Sequence, residues 1–181
     1  MTGFLRDMEL GDLMTLREWR NNPEINRYMF SQHEIMKEEH QNWFERSQNN
    51  PLIHLNMYVE NDDIKGFMQL HNKSSEDKVY EWGFYISPRA ERGTGTKMVK
   101  LALKKVFEEM NGKKIFGEVL AFNKPSIKLH QKLGFSQEGL LREHHFLNGE
   151  YHDVYCFGML KSEWLKEMGN EYMQGSESFE K

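Results

Sequence analysis

Residues 79–97 read Val79-Tyr80-Glu81-Trp82-Gly83-Phe84-Tyr85-Ile86, then Ser87-Pro88, then Arg89-Ala90-Glu91-Arg92-Gly93-Thr94-Gly95-Thr96-Lys97. The opening run is aromatic and β-branched, which suits a strand, and Pro88 stops it. Past Lys97, the residues Met98, Leu101, Ala102, Val106 and Met110 line one face of a long helix closed by Asn111-Gly112. The unit is strand, glycine turn, helix. Glycines at a helix start let the backbone approach a ligand closely. The first N–H groups of the helix lack internal partners and carry the positive end of its dipole, so the turn suits a pyrophosphate. Two better-known phosphate loops do not fit. A dinucleotide fold needs G-x-G-x-x-G, and Met98 stands at its last position. A P-loop needs Gly-Lys-Ser/Thr, which is absent.

Outward from this unit, the N-terminal third reads as helical. Asp12 is placed to cap a helix carrying Leu13, Leu16 and Trp19 and ending near Asn21-Asn22-Pro23. A second helix is predicted from about His33 to Gln48. The period then changes to two: residues 52–60 and 64–70 alternate as strands about Asn61-Asp62-Asp63. On the other side, residues 114–120 read as a short strand and Asn123-Lys124-Pro125 opens a helix that ends at Gly134-Phe135. Residues 139–147 and 151–160 form a hairpin about Asn148-Gly149, and a last helix is predicted over 162–171. The order ααβββαβαββα is that of a mixed α/β fold.

The chain has 181 residues and reads as one domain over 1–171, followed by a polar tail at 172–181. A net charge of −4 argues against nonspecific nucleic-acid binding. The mean hydropathy of −0.78 and the absence of a long apolar run argue against a membrane protein. The one cysteine, Cys156, excludes a disulfide framework and a thiolate zinc cluster, and points to a reducing, cytoplasmic compartment. His144 and His145 face opposite sides of a strand, so with His152 they read as hydrogen-bonded or solvated histidines rather than a metal site.

A second motif lies about thirty residues after the glycine turn: Asn123, Ser126, His130, Gly134 and Phe135, on the helix opened by Asn123. Together the two segments resemble the GNAT N-acetyltransferase superfamily. Arg92-Gly93-Thr94-Gly95 matches its pyrophosphate pattern R/Q-x-x-G-x-G/A, with Lys97 at the last position. His130 stands where the family usually has a Tyr that protonates the coenzyme A thiolate. Within the superfamily, Glu18-Trp19-Arg20-Asn21, Arg27-Tyr28-Met29-Phe30, Glu39-His40-Gln41-Asn42-Trp43-Phe44, Glu81-Trp82-Gly83-Phe84-Tyr85 and Asn148-Gly149-Glu150-Tyr151-His152-Asp153 resemble the nucleotide-sugar N-acetyltransferases of pseudaminic acid biosynthesis, an activity linked to flagellin glycosylation.

The resemblance implies a mostly antiparallel sheet of six to seven strands, flanked by helices and splayed at the acetyl-CoA site. It implies direct transfer of acetyl from acetyl-CoA to the 4-amine of a UDP-linked amino-dideoxy sugar, without metal, by a monomer or homodimer. Cofactor contacts fall to Phe84, Ile86, Arg92, Gly93, Thr94, Gly95, Thr96, Lys97, Asn123, Ser126 and His130. Acceptor contacts fall to Arg20, Tyr28, Met29, Phe30, Glu81 and Trp82. Two readings stand for several of these. Glu81 is either a desolvated base or an outward-facing carboxylate. His130 is either the proton donor or a helix histidine held by a backbone carbonyl. Tyr28, Met29 and Phe30 either stack a substrate or pack the core. Protein N-terminal and polyamine acetyltransferases are the rival enzymes, and a polyamine enzyme needs acids clustered near Glu81. The rival outside catalysis is an acetyl-CoA-binding regulatory module, suggested by Lys97 and His130.

Overall fold

Asn61 and Asp62 have φ of +53° and +63°, and Asn148 and Gly149 have +53° and +87°. Paired left-handed residues give a two-residue hairpin turn whose twist matches its strands. These turns close Glu60 onto Asp63 and Leu147 onto Glu150. The computed structural model of the chain describes residues 3–166. Its strands are β1 (Phe4–Asp7), β2 (Ile53–Glu60), β3 (Asp63–Asn72), β4 (Val79–Ile86), β5 (Lys114–Leu120), β6 (Ser136–Leu147) and β7 (Glu150–Leu160). They form one sheet in the order β1-β2-β3-β4-β5-β7-β6, antiparallel throughout except for β4–β5. The helices are α1 (Leu13–Asn21), α2 (Pro23–Asn26), α3 (Lys37–Gln48), α4 (Thr94–Lys104) and α5 (Lys124–Lys132). The expected mixed α/β, mostly antiparallel architecture is the observed one. Among the described residues no helix is long and apolar enough to cross a membrane.

Strand alternation separates two cores. Tyr80, Trp82 and Phe84 face α4 and α5, where Val99, Val106, Ile115, Ile127 and Phe157 are packed with them. Glu81, Gly83 and Tyr85 face the other side, where α1 and α3 bring Leu16 and Phe44 onto Leu55, Met57 and Phe67.

Several boundaries differ from the sequence reading. β1 was not expected. Asp12 does not cap α1. Its carboxylate pairs with Arg6 at 2.7 Å and accepts the Glu9 N–H at 2.8 Å, tying β1 to the start of α1. The second long helix begins at Lys37 rather than near His33, because Asn21 holds Ile35 in an irregular loop. The Asn21 amide donates to the Ile35 carbonyl at 3.0 Å and accepts its N–H at 2.8 Å. Residues 161–166 are helical, while the rest of the last predicted helix and the polar tail lie outside the described residues.

The parallel ladder between β4 and β5 has three pairs: Val79–Lys114, Tyr80–Ile115 and Glu81–Phe116. Beyond them β4 stays paired with β3 to Ile86 and β5 with β7 to Leu120, so the two inner strands part. Gly117 sits at the parting. A Cβ there would lie 2.7 Å from the Trp82 indole. Trp82 stacks on Phe135 with centroids 5.3 Å apart and planes 5° from parallel. Gly117→Ala is expected to displace this indole and cost about 1–3 kcal/mol by overpacking. Urea unfolding of the variant reads that loss directly.

Candidate active site

At the end of β4, Gly93 caps α4 with φ +97°, a left-handed conformation natural to glycine. A Cβ on Gly93 would meet nothing within 4 Å, so this turn faces open space. The Thr94 N–H is bonded to the Glu91 carbonyl and the Lys97 N–H to the Gly93 carbonyl, both at 3.2 Å. Among the described residues the N–H groups of Gly93, Gly95 and Thr96 have no such acceptor. Three free donors at a helix start fit an anionic diphosphate. Thr94 is buried, and its hydroxyl donates to the Glu91 carbonyl at 2.8 Å, so it shapes the turn rather than facing outward. Gly95 packs near Leu129 and Ile86, joining the turn to α5 and the end of β4.

Lys97 departs from its expected place. Its ammonium pairs with Glu60 at 2.6 Å, which pins the first turn of α4 to the end of β2. The Lys97 ammonium is raised and the Glu60 carboxyl lowered from their ordinary values, chiefly by this hydrogen bond. Lys132 of α5 instead reaches toward the turn, 3.5 Å from the Thr96 hydroxyl. Arg92 stays exposed at the mouth. Asn123 caps α5, its carboxamide oxygen accepting the Ser126 N–H at 3.2 Å.

His130 is 2% exposed and boxed by Trp82, Phe84, Phe135 and Phe157. Its Nδ1–H donates to the Ser126 carbonyl at 2.8 Å, since a carbonyl can only accept. Nε2 is then the unprotonated nitrogen, and it has no partner. Burial pushes the imidazole below its ordinary value of 6.5, opposed by the Ser126 bond. A neutral ring with its one proton committed to the backbone cannot protonate a thiolate. Of the two roles open in the sequence, the geometry is that of the helix histidine held by a backbone carbonyl.

On the other face of β4 lies a pocket of about 800 Å³. Arg20 of α1, Met29 and Phe30 of the following loop, Glu39 and Trp43 of α3, Glu81 of β4 and Glu118 of β5 all line it. Gly83 is exposed in mid-strand, and a Cβ there would meet nothing within 4 Å. It leaves a bare patch of backbone on the pocket floor, where β4 has lost β5. Of the two readings open for Glu81 in the sequence, its surroundings are those of the outward-facing carboxylate. It is half-buried and ion-paired with Lys73, whose ammonium lies 5.7 Å from the Phe116 ring. Glu118 follows Phe116 on the same face of β5, lines the same pocket, and has no ion-pair or hydrogen-bond partner among the described residues. Sequence reading missed it, because only the register puts Glu118 on the same face of the sheet as Glu81.

Arg20 donates to the Ser31 carbonyl, and its other terminal nitrogen is buried without a partner. Burial lowers its guanidinium from the ordinary value. His40, stacked on Trp43 at 4.9 Å, also has an unpartnered Nε2 and is pushed down by burial, with Arg17 and Arg20 adding to it. Of two other expected acceptor residues, Trp82 borders the pocket but buries its side chain in the core on the opposite face. Tyr28 stacks near Phe122, with centroids 6.5 Å apart, in a separate, smaller pocket.

The family model for the acetyltransferase (GNAT) domain matches residues 4–136. The uncharacterized, prophage-derived N-acetyltransferase YokL of Bacillus subtilis is 36% identical over 110 residues, covering 59% of this chain and 61% of that protein. Spermidine N(1)-acetyltransferase of Escherichia coli K12 is 28% identical over 169 residues, covering 90% of this chain and 88% of that one. The crystal structure of spermidine N-acetyltransferase from Vibrio cholerae, in complex with CoA and spermine, superimposes with a TM-score of 0.84 at 26% identity, covering 91% of this chain and 98% of that one.

His130, His40 and His54 are all depressed below 6.5, mainly by burial. Below about pH 6.5 the unfolded chain binds protons that the folded rings resist. Stability is therefore expected to be full above that pH and to fall as pH drops through it. Melting temperatures measured from pH 7.5 to 5.5 check this, and His130→Phe is expected to flatten the decline.

Proposed function

The chain belongs to the acetyltransferase (GNAT) domain family and is an acetyl-CoA-dependent N-acetyltransferase; from that premise we propose that its acceptor is a small primary amine, with a polyamine as the first reading. One observation carries this: three carboxylates, Glu39, Glu81 and Glu118, line the pocket floored by the bare backbone of Gly83, with Glu39 bonded to His33 and Glu81 to Lys73, so that Glu118 is left for a cationic acceptor. A polyamine enzyme needs that cluster, which is scattered in sequence over α3, β4 and β5. The likeness to spermidine acetyltransferases over most of the chain supports the same reading.

In this reading the diphosphate of acetyl-CoA rests on the N–H groups of Gly93, Gly95 and Thr96, and its arm enters between β4 and β5. Phe84 and Ile86 border that arm. An alkylammonium docks against the pocket acids and must lose a proton before it can attack. Glu118 takes that proton, because the Glu81 carboxylate is already paired with Lys73. The amine nitrogen then bonds to the thioester carbon, the C–S bond breaks, and the second N–H proton passes to the departing sulfur. His130 supports the aromatic wall and does not donate.

A second reading rests on Arg20. Its buried, unpartnered nitrogen is a donor without an acceptor, and it suits an amine that also carries an anion, such as a UDP-linked amino sugar stacked on Phe30 or Trp43. None of the similar proteins named above is a nucleotide-sugar enzyme by name.

A thiol-release screen with spermidine, a UDP-amino sugar and a short peptide separates these readings. Preferred turnover of spermidine is expected. Preference for the sugar nucleotide selects the second reading, preference for the peptide rejects both, and acetyl-CoA binding without thiol release rejects catalysis. With the preferred amine, Glu118→Gln is expected to lower kcat on the order of 10²-fold. Its rate should recover with rising pH as the amine sheds its own proton, while Glu81→Gln keeps most of the rate.

A further inference from the structure

The loop from Met29 to Ile35 forms one wall of the acceptor pocket, through Met29, Phe30, Ser31, His33 and Ile35. It has no regular secondary structure. Helix α1 holds its far end through Asn21. Its middle is held by a segment more than a hundred residues away. His145 of β6 donates its Nε2–H to the Phe30 carbonyl at 2.8 Å. The same imidazole meets the Phe30 ring edge-on, with centroids 5.0 Å apart and planes 79° from parallel. At the turn of that hairpin, the Asn148 amide donates to the Gln32 side-chain oxygen at 3.1 Å. Gln32 in turn donates to the Arg27 carbonyl at 2.7 Å.

The hairpin is bent to reach the loop. The register of β6 on β7 shifts between Leu141 and His145. Glu143 there has φ +50°, and its N–H is held by the Asp153 carboxylate at 2.7 Å. An irregularity of this kind re-aims the side chains beyond it. Here it precedes His145, which bonds the acceptor wall from across the fold.

We propose that His145 is a positioning residue whose hold on Phe30 fixes the Met29–Ser31 wall for the incoming amine. The inference rests on the acetyltransferase reading and on the placement of the acceptor in this pocket. It does not depend on which amine is used. None of the residues in this contact belongs to the Gly93 turn or to α4, so its loss is expected to act on the acceptor rather than on acetyl-CoA.

The test compares wild type, His145→Ala and His145→Gln, whose amide N–H can stand in for Nε2–H. Steady-state kinetics use the best amine among spermidine, a UDP-amino sugar and a short peptide. His145→Ala is expected to raise the acceptor KM about tenfold, the loss of one hydrogen bond with its ring contact. The acetyl-CoA KM should stay unchanged and His145→Gln should restore most of the loss. In the free protein, amide exchange over residues 29–35 should quicken in His145→Ala and return toward wild type in His145→Gln. An unchanged acceptor KM in His145→Ala, or an equal rise in both substrates' KM, overturns the proposal. Unchanged exchange overturns the clasp itself. A wild type that binds acetyl-CoA but releases no thiol with any amine overturns the transferase reading instead, and the exchange measurement then judges the clasp alone.

Discussion

The parallel ladder between β4 and β5 stops after Glu81–Phe116, and the chemistry depends on that stop. Each strand keeps its outer partner, so the sheet does not come apart. The facing inner edges are left with backbone N–H and C=O groups that no strand satisfies. A substrate arm with amide groups of its own is a natural partner for such edges. The parting also explains the glycines around it. Gly117 leaves room for the Trp82 indole on the cofactor side, and Gly83 leaves the backbone bare on the acceptor side. In the proposed function, one sheet thereby presents the acetyl donor and the amine to each other from opposite faces.

Charge is divided in the same way. The cofactor side presents free N–H groups at the start of α4, with Arg92 and Lys132 nearby. Lys97, which appears from its spacing to belong there, is neutralised by Glu60 and serves as a tether. The acceptor side presents carboxylates from three elements, together with Arg20, one of whose donors lacks an acceptor. Buried donors of this kind carry a desolvation cost unless a ligand meets them. Acids and donors in one pocket mark the balance between a purely cationic acceptor and one that also carries an anion.

Much of this was legible in the sequence, for physical reasons. Turns that require left-handed residues declared themselves at Asn61-Asp62 and Asn148-Gly149. β4 and β5 were bounded correctly because their composition admits little else. The glycine turn was found because a free helix start has few alternatives. The misses share a different cause. β1 is four residues long and half-exposed, too short for a pattern. The loop before α3 reads as helix until Asn21, in another element, claims its backbone. The Glu60 partner of Lys97 and the Phe30 partner of His145 lie far away in the chain. Glu118 gains meaning only from register. The proton on His130 is fixed by a carbonyl one helical turn back, and no property of histidine itself announces that.

The most direct test of the account is a crystal structure of the chain with coenzyme A. The account predicts the diphosphate on the N–H groups of Gly93, Gly95 and Thr96, and the sulfur between β4 and β5 beside Gly83. Coenzyme A bound elsewhere, or β4 and β5 closed into a continuous ladder with the sulfur excluded, would contradict it.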